Sequence, residues 1–512
     1  MLLTGRRHRF GRRLLFGTAV ALPAVFLPAA LPMAGAAPAR PDLAALVTLK
    51  DITPHLAAFQ EIADYNGGHR AAGSPGYDVS VRYVTGRLRK AGLSPKVQKF
   101  TYPFWRERLT AKLARTAPSK ASYKPATDFL TLAYSGSGDV TAPAAAVDVP
   151  ARGEGTSGCE AGDFTGFRKG SIALLQRGTC TFATKAARAR AAGAAAVVIF
   201  NRPGEKGPLN GTLSRPVAVP VVGPSHAVGA ALVKAARKGG LQLRVRTDTV
   251  HGRRTSANVI ADTRQGNAGN VVVAGAHLDS VPAGPGINDN GTGAAVLLAV
   301  AARIQRLGRD GLRNRVRFAW WGAEEEGMRG SEHYVRSLPV EERERIALNL
   351  NFDMLGSPNG VRGVYDGDHS TRAGVRAPAG SGAIERMFRQ YFRGRRMPVA
   401  ESRFNGRSDY APFIERGIPA GGMDTGAEGV KTAAEARVFG GKAGMAYDPC
   451  YHAKCDRLKN VNLRFLDGNA DGVAHVVQHL ARSTVAVNGG VRRGSFLVPA
   501  YAPLWQGPHL LR

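Results

Sequence analysis

The sequence predicts an α/β fold, a mainly parallel sheet flanked by helices, with a smaller domain inserted into the chain. Two observations carry this. Three short β-branched or aromatic runs, 271–276, 315–321 and 346–352, each run out into residues able to bind a metal. The first is followed by a Gly/Asn loop and by Val296, Leu297, Val300 and Ile304 at helical spacing, a strand-loop-helix order. Between about residues 117 and 250 the texture changes to short strands, many Gly and Pro, and one Ala-rich helix.

In chain order, residues 1–36 have the layout of a secretory signal: Arg6, Arg7, Arg9, Arg12 and Arg13, then an apolar stretch from Leu14 to Leu31, then Ala34-Gly35-Ala36. Cleavage is expected near Ala36, giving a secreted protein. Pro23, Pro28 and Pro32 interrupt the apolar run, which argues against a stable membrane anchor. At 512 residues with 44% apolar content, the remainder is globular and large enough for two folded domains. The main domain is expected over 37–116 and 251–484, the inserted domain over 117–250, and a Gly- and Pro-rich tail over 485–512. The formal charge of +31 is dispersed, with no basic helix or aromatic-interleaved strip, so no nucleic-acid partner is expected. Cys159, Cys180, Cys450 and Cys455 are an even number in an exported chain, and their spacing suggests the local pairs Cys159–Cys180 and Cys450–Cys455.

Leu56 to Tyr65, and then Tyr77, Val81, Val84 and Leu88, have helical spacing, with Gly92 placed to end the second helix. His69 lies in the loop between them and is expected to be structural. A closing helix is read from Ala470, Val473, Ala474, Val477 and Leu480.

The chemistry lies at the strand ends. Ligands in open α/β sheets bind outside the carboxyl ends of the strands, so residues delivered there by successive strands meet at one site. His277, Asp289, one of Glu324, Glu325 and Glu326, Asp353 and the later His452 offer two imidazoles and three carboxylates. That set suits two zinc ions sharing one carboxylate. Asp279, two residues after His277, is expected to fix the imidazole tautomer.

Two resemblances sharpen this reading. Ser157-Gly-Cys159, Gly178-Thr-Cys180-Thr-Phe182 running to Val-Val-Ile-Phe200, and Val219-Pro220 resemble the protease-associated domain. His-Leu-Asp-Ser at 277–280, Ile-Asn-Asp-Asn-Gly at 287–291, Trp-Trp-Gly-Ala-Glu-Glu at 320–325, Asn-Phe-Asp-Met at 351–354 and Cys-Tyr-His-x-x-Cys at 450–455 resemble the secreted co-catalytic di-zinc aminopeptidases of the leucyl aminopeptidase and aminopeptidase Y type. The resemblance implies a zinc-exopeptidase fold and two Zn2+ per chain, with Asp289 bridging, His277 and Asp353 on one ion and Glu325 and His452 on the other. It makes Glu324 the general base towards a zinc-bridging water, Tyr451 the oxyanion donor, Glu401 the holder of the substrate's α-amino group and Arg407 a neighbour at the same end. It also implies a cis Asp289–Asn290 bond. A monomer acting on peptide and protein N-termini is expected.

Met354 keeps an apolar wall for the first substrate side chain. Leucine-preferring relatives have an aromatic residue where this chain has Asp424; a carboxylate there would favour Lys or Arg, unless it turns away to cap a loop. A di-zinc carboxypeptidase would need a cation for the substrate carboxylate in place of Glu401. An inactive, receptor-like relative would have lost ligands, whereas all five and the base are present.

Overall fold

The computed structural model describes residues 42–150, 156–205 and 207–489, so the expected leader and all but the start of the tail lie outside the described residues. In chain order the strands are β1 (Lys96–Ala117), β2 (Ala121–Ser122), β3 (Phe129–Thr131), β4 (Gly138–Ala146), β5 (Ile172–Gln176), β6 (Ala196–Phe200), β7 (Val221–Pro224), β8 (Gln242–Asp262), β9 (Asn267–His277), β10 (Asn314–Trp321), β11 (Ile346–Asp353), β12 (Gly363–Tyr365), β13 (Ala400–Ser402) and β14 (Ala420–Asp424). They hydrogen-bond in the order β13-β12-β14-β11-β9-β10-β8-β4-β5-β6-β7-β3, with β1 lying along β8.

Four central strands, β10, β9, β11 and β14, are mutually parallel. Their carboxyl ends therefore open on one side. β9 reads as a continuous apolar run, Val271 to Ala276, because helices cover both its faces. The helix Gly293–Ile304 is buried along almost its whole length, and Trp320 donates its indole N–H to the Ala294 carbonyl at 3.0 Å. Gly275 has to be glycine: a Cβ there would collide with Trp321 Nε1 from the neighbouring strand.

The helices follow their local signals. The first long helix, Leu49–Asp64, starts before the apolar spacing does, because Thr48 and Asp51 form a capping box. Pro75–Lys90 opens with proline after the Ser74 cap, and Gly92 follows it at φ +80. The closing helix spans Leu463–Arg482.

The insertion adds β2 to β7 and the helices Phe182–Ala191 and His226–Arg237. In β5 and β6 the alternate residues Ala173, Leu175, Val197 and Ile199 enter one core while Ile172, Leu174, Ala196 and Val198 enter another. β1 and β8 pair antiparallel over most of their length, and β8 bonds to β10 through Val259–Asp262 and to β4 through Gln242–Thr247. Both expected disulfides form, Cys159–Cys180 and Cys450–Cys455, with Cα separations of 5.8 and 5.3 Å.

Candidate metal centre

Each strand end delivers its residues to one place. His277 closes β9, Glu324 and Glu325 follow β10, Asp353 closes β11, and Asp289 comes from the loop after β9. His277 Nε2 lies 3.2 Å from Asp289 Oδ1 and 3.1 Å from Asp353 Oδ1. His452 Nε2 lies 3.2 Å from the other oxygen, Asp289 Oδ2, and 3.0 Å from Glu325 Oε2. Asp289 thus faces an imidazole with each of its oxygens. The structure brings the five expected ligands together as two three-residue groups that share this carboxylate.

The electrostatics call for cations. Burial by itself would lower both imidazole pKa values, yet Asp353 and Asp289 raise that of His277 well above the ordinary range. His452, where burial also opposes the shift, is pushed up to about 10, chiefly by Glu325 and Asp289. Asp289 moves the other way, since the two imidazoles outweigh its burial. Burial raises Glu324 strongly and Glu325 as well. Glu324 Oε1 and Glu325 Oε1 are buried with no hydrogen-bond partner. A buried carboxylate oxygen left without donor or cation is costly, and oxygen and imidazole donors are the ones zinc takes. The residues present therefore fit zinc.

The backbone around the site is strained. Ala323, Met354 and His452 have φ of +57, +57 and +56, each costing on the order of 1 kcal/mol or more for a non-glycine residue. Asn290 helps to hold one of them, its Oδ1 accepting the N–H of Met354 at 3.1 Å and of Gly293 at 3.0 Å. The Asp289–Asn290 peptide is cis. The Cys450–Cys455 bridge brackets His452 in a five-residue span.

Two of the expected residues have further partners. Asp279 was expected to fix the His277 tautomer, and the ring Nδ1 lies 3.1 Å from the Asp279 carbonyl oxygen and 3.9 Å from its carboxylate Oδ1. The carboxylate also accepts the backbone N–H groups of Glu324 at 3.1 Å and Glu325 at 3.3 Å, fixing the glutamate turn to the end of β9. Glu401, expected to hold the substrate's α-amino group, lines the cavity, with Arg389 Nη1 2.9 Å from it and Ser370 donating to it at 3.2 Å. Alternation along β13 accounts for this: Ser402 faces Asp424, while Glu401 reaches towards the helix that carries Arg389.

A cavity of about 540 Å3 opens beside the two groups, with Glu324, Met354, Glu401, Arg407, Asp424 and Tyr451 among the residues lining it. Tyr451 stacks on His452 with ring centroids 3.8 Å apart. Arg407 donates to the Tyr451 hydroxyl at 3.3 Å and to Glu428 at 2.5 Å. Asp424 accepts from the Ser402 hydroxyl and, at 3.0 Å, from the Gly426 N–H, so it both caps the loop and borders the cavity.

Several supporting residues carried no sequence signal. Arg70, next to the structural His69, is fully buried and gives hydrogen bonds to the carbonyls of Leu278, Pro285 and Gly286; burial lowers its pKa to about 10. Asp456 accepts the backbone N–H of Asn288 at 2.8 Å and of Asp289 at 3.0 Å. Ser408 donates to Asp353 at 2.6 Å and accepts from Asn351 at 2.8 Å. Only the Gly-rich character of the 284–291 loop hinted that distant residues must hold it.

Residues 258–477 match the model of peptidase family M28, and residues 140–232 match that of the PA domain. An aminopeptidase of Pseudomonas aeruginosa is 45% identical over 445 residues, covering 86% of this chain and 82% of that protein. A probable leucine aminopeptidase 2 of Aspergillus fumigatus is 40% identical over 429 residues, covering 82% and 80%. Among solved structures, the aminopeptidase from Aneurinibacillus sp. strain AM-1 superposes with a TM-score of 0.65 at 27% identity, covering 85% of this chain and 94% of that one. A zinc aminopeptidase from Bacillus subtilis gives 0.54 at 27% identity, covering 84% and 94%.

Proposed function

Because the chain belongs to peptidase family M28 and carries a PA domain, we propose that it is a secreted aminopeptidase that uses two zinc ions to remove N-terminal residues from peptides and proteins. Its class is that of a metallo-aminopeptidase, a peptide hydrolase. The observation that carries the di-zinc reading is Asp289, with one oxygen towards His277 and the other towards His452. In this reading His277 and Asp353 would hold one ion and Glu325 and His452 the other, with Asp289 shared between them.

Bound zinc supplies Lewis-acid polarisation of the scissile carbonyl and lowers the pKa of water. The protein supplies the rest. Glu324, buried and with a carboxylate oxygen free of partners, takes the proton of the attacking water and returns it to the leaving amine. Tyr451 donates its hydroxyl to the carbonyl oxygen as negative charge develops there, and Arg407 holds that hydroxyl from the open side. Met354 and Asp424 form the wall met by the first substrate side chain. Glu401, at the cavity and beside Arg389, holds the substrate's α-amino group, whose ammonium competes with Arg389 for it.

We assign residues 37–116 and 251–484 to the peptidase domain and 117–250 to the insertion, with a leader at 1–36 and a tail from 485. The leader pattern and the two disulfides support export. No helix of the described residues is long and apolar enough to cross a membrane.

The test is hydrolysis of leucyl-p-nitroanilide beside an N-acetylated counterpart, before and after chelation and zinc readdition, with zinc counted by mass spectrometry. Cleavage of the free amine alone, lost with chelator and restored at two zinc per chain, is expected. Cleavage of blocked peptides from the carboxyl end would overturn the reading.

A further inference from the structure

Glu326 ends the three-glutamate run, and neither the ligand set nor the base assignment uses it. Its side chain is 10% exposed, and Arg106 Nη2 lies 3.0 Å from its Oε1. Burial raises its proton affinity, while Arg106, with Arg254 and Arg329 behind it, opposes the shift. Arg329 Nε also donates to the Glu326 carbonyl at 3.0 Å.

Arg106 belongs to β1, whose successive side chains point to opposite faces. Phe104 packs with Phe100 and Tyr102 against Ala323, the residue before the base. Trp105 turns the other way, into the core of the insertion beside Leu132 and Ala133, and donates its indole N–H to the Ser135 carbonyl at 3.2 Å. Tyr134 of the insertion donates its hydroxyl to the Pro103 carbonyl at 3.2 Å. Residues 103–106 thus hold the insertion on one face and the glutamate turn on the other.

The turn needs holding. Ala323 and Met328 both sit at φ +57, a conformation that non-glycine residues keep only when their surroundings impose it. Asp279 ties the turn from the sheet side through the N–H groups of Glu324 and Glu325. Arg106 ties it from the strand side and neutralises a third buried carboxylate beside two others. Without that guanidinium, Glu326 would stand buried next to Glu325 with only the weaker attraction of Arg254 and Arg329, and moving the turn outward would relieve the repulsion.

We propose that Arg106 and Glu326 form a positioning pair that keeps Glu324 in its working orientation, and that the insertion acts on catalysis through β1. This rests on the reading of Glu324 as the base.

The test uses full-length, zinc-loaded Arg106→Ala, Glu326→Gln, their double variant and the conservative Arg106→Lys, with Arg108→Ala as control. Arg108 is 60% exposed and pairs with Asp248 on the outer part of the ribbon. On leucyl-p-nitroanilide, kcat should fall by about ten- to hundredfold, the scale of an ångström-sized misplacement, with KM and zinc content held. Arg106→Lys should recover most of kcat, the double variant should be no slower than the slower single one, and Arg108→Ala should match wild type. In metal-free protein, the amides of residues 322–329 should exchange hydrogen faster once the pair is broken.

Unchanged kcat in both single variants overturns the proposal. So does a loss of kcat that comes with loss of zinc or a proportionate rise in KM. If Arg106→Ala does not fold, the isosteric Glu326→Gln decides alone. A zinc-loaded wild type that fails to cleave the nitroanilide refutes the reading of the base instead, and the exchange comparison then decides the pair, with unchanged protection overturning it.

Discussion

Asp424 gives the sharpest test of substrate preference. Its carboxylate borders the cavity, accepts from Ser402 and Gly426, and is pushed up to about 6 by burial, with Asp353 adding to the shift and the Ser402 hydrogen bond opposing it. At pH 8 it is therefore almost fully ionised. A lysyl ammonium reaching it would gain a charge-assisted hydrogen bond of about 1.5–3 kcal/mol, less the cost of drying the ammonium. A net differential of about 1.4 kcal/mol is tenfold in kcat/KM. Asp424→Asn keeps the shape and can still accept from Gly426 through Oδ1, while its Nδ2 donates to the Ser402 hydroxyl, so the charge is what it removes. The lysyl-to-leucyl ratio of kcat/KM on nitroanilides at pH 8 should fall by about tenfold. The wild-type ratio should also decline as the pH drops through 6 and Asp424 takes up its proton, while the variant's ratio stays flat. An unchanged ratio at equal zinc content would show that the carboxylate serves the loop and not the substrate.

Glu324→Ala should keep the fold and the zinc while kcat falls by about two to four orders of magnitude, whereas His452→Ala should lose metal; steady-state kinetics with metal analysis separates the two. Replacing Cys450 and Cys455 together by serine should weaken zinc retention against a chelator before it lowers thermal stability, because the bridge brackets His452 at its positive φ. His55 is lowered to about 4, first by burial and then by Arg87, and bonds to Tyr83 at 2.7 Å. Its unfolded value is about 6.5, so its contribution of about 3 kcal/mol is fully present above pH 6.5 and is lost as pH falls through 4. Urea unfolding of wild type and His55→Asn across pH 4–7 should show a weaker pH slope in the variant.

Three members of the candidate ligand set were legible in the sequence because each stands where a strand stops, while Asp289 and His452 stand in loops. β9 ends in His277, β11 ends in Asp353 and the glutamates follow β10, and parallel neighbours must open on the same side. Short sequence separations made the disulfides readable as well, and the cysteine-anchored turn with its small-residue helix marked the insertion. These signals are local, repeated or bound to an element's end. For the same reason the three consecutive glutamates could not be told apart: their roles depend on which way a strained turn faces each one.

The tertiary structure alone decided what holds the site together. Arg70 reaches the Asp289 loop across 215 positions of chain and Asp456 across 168, and no periodicity or spacing links such pairs. Asp279 sits beside His277 in sequence, yet its carboxylate serves two amides of another strand's loop. Glu401, expected to hold the substrate amine, meets Arg389 of the preceding helix at 2.9 Å. A buried carboxylate or guanidinium must find partners wherever the packed chain offers them. The sequence determined which groups arrive at the strand ends; packing decided which of them are left free to do chemistry, because only in the folded chain are the competing donors within reach.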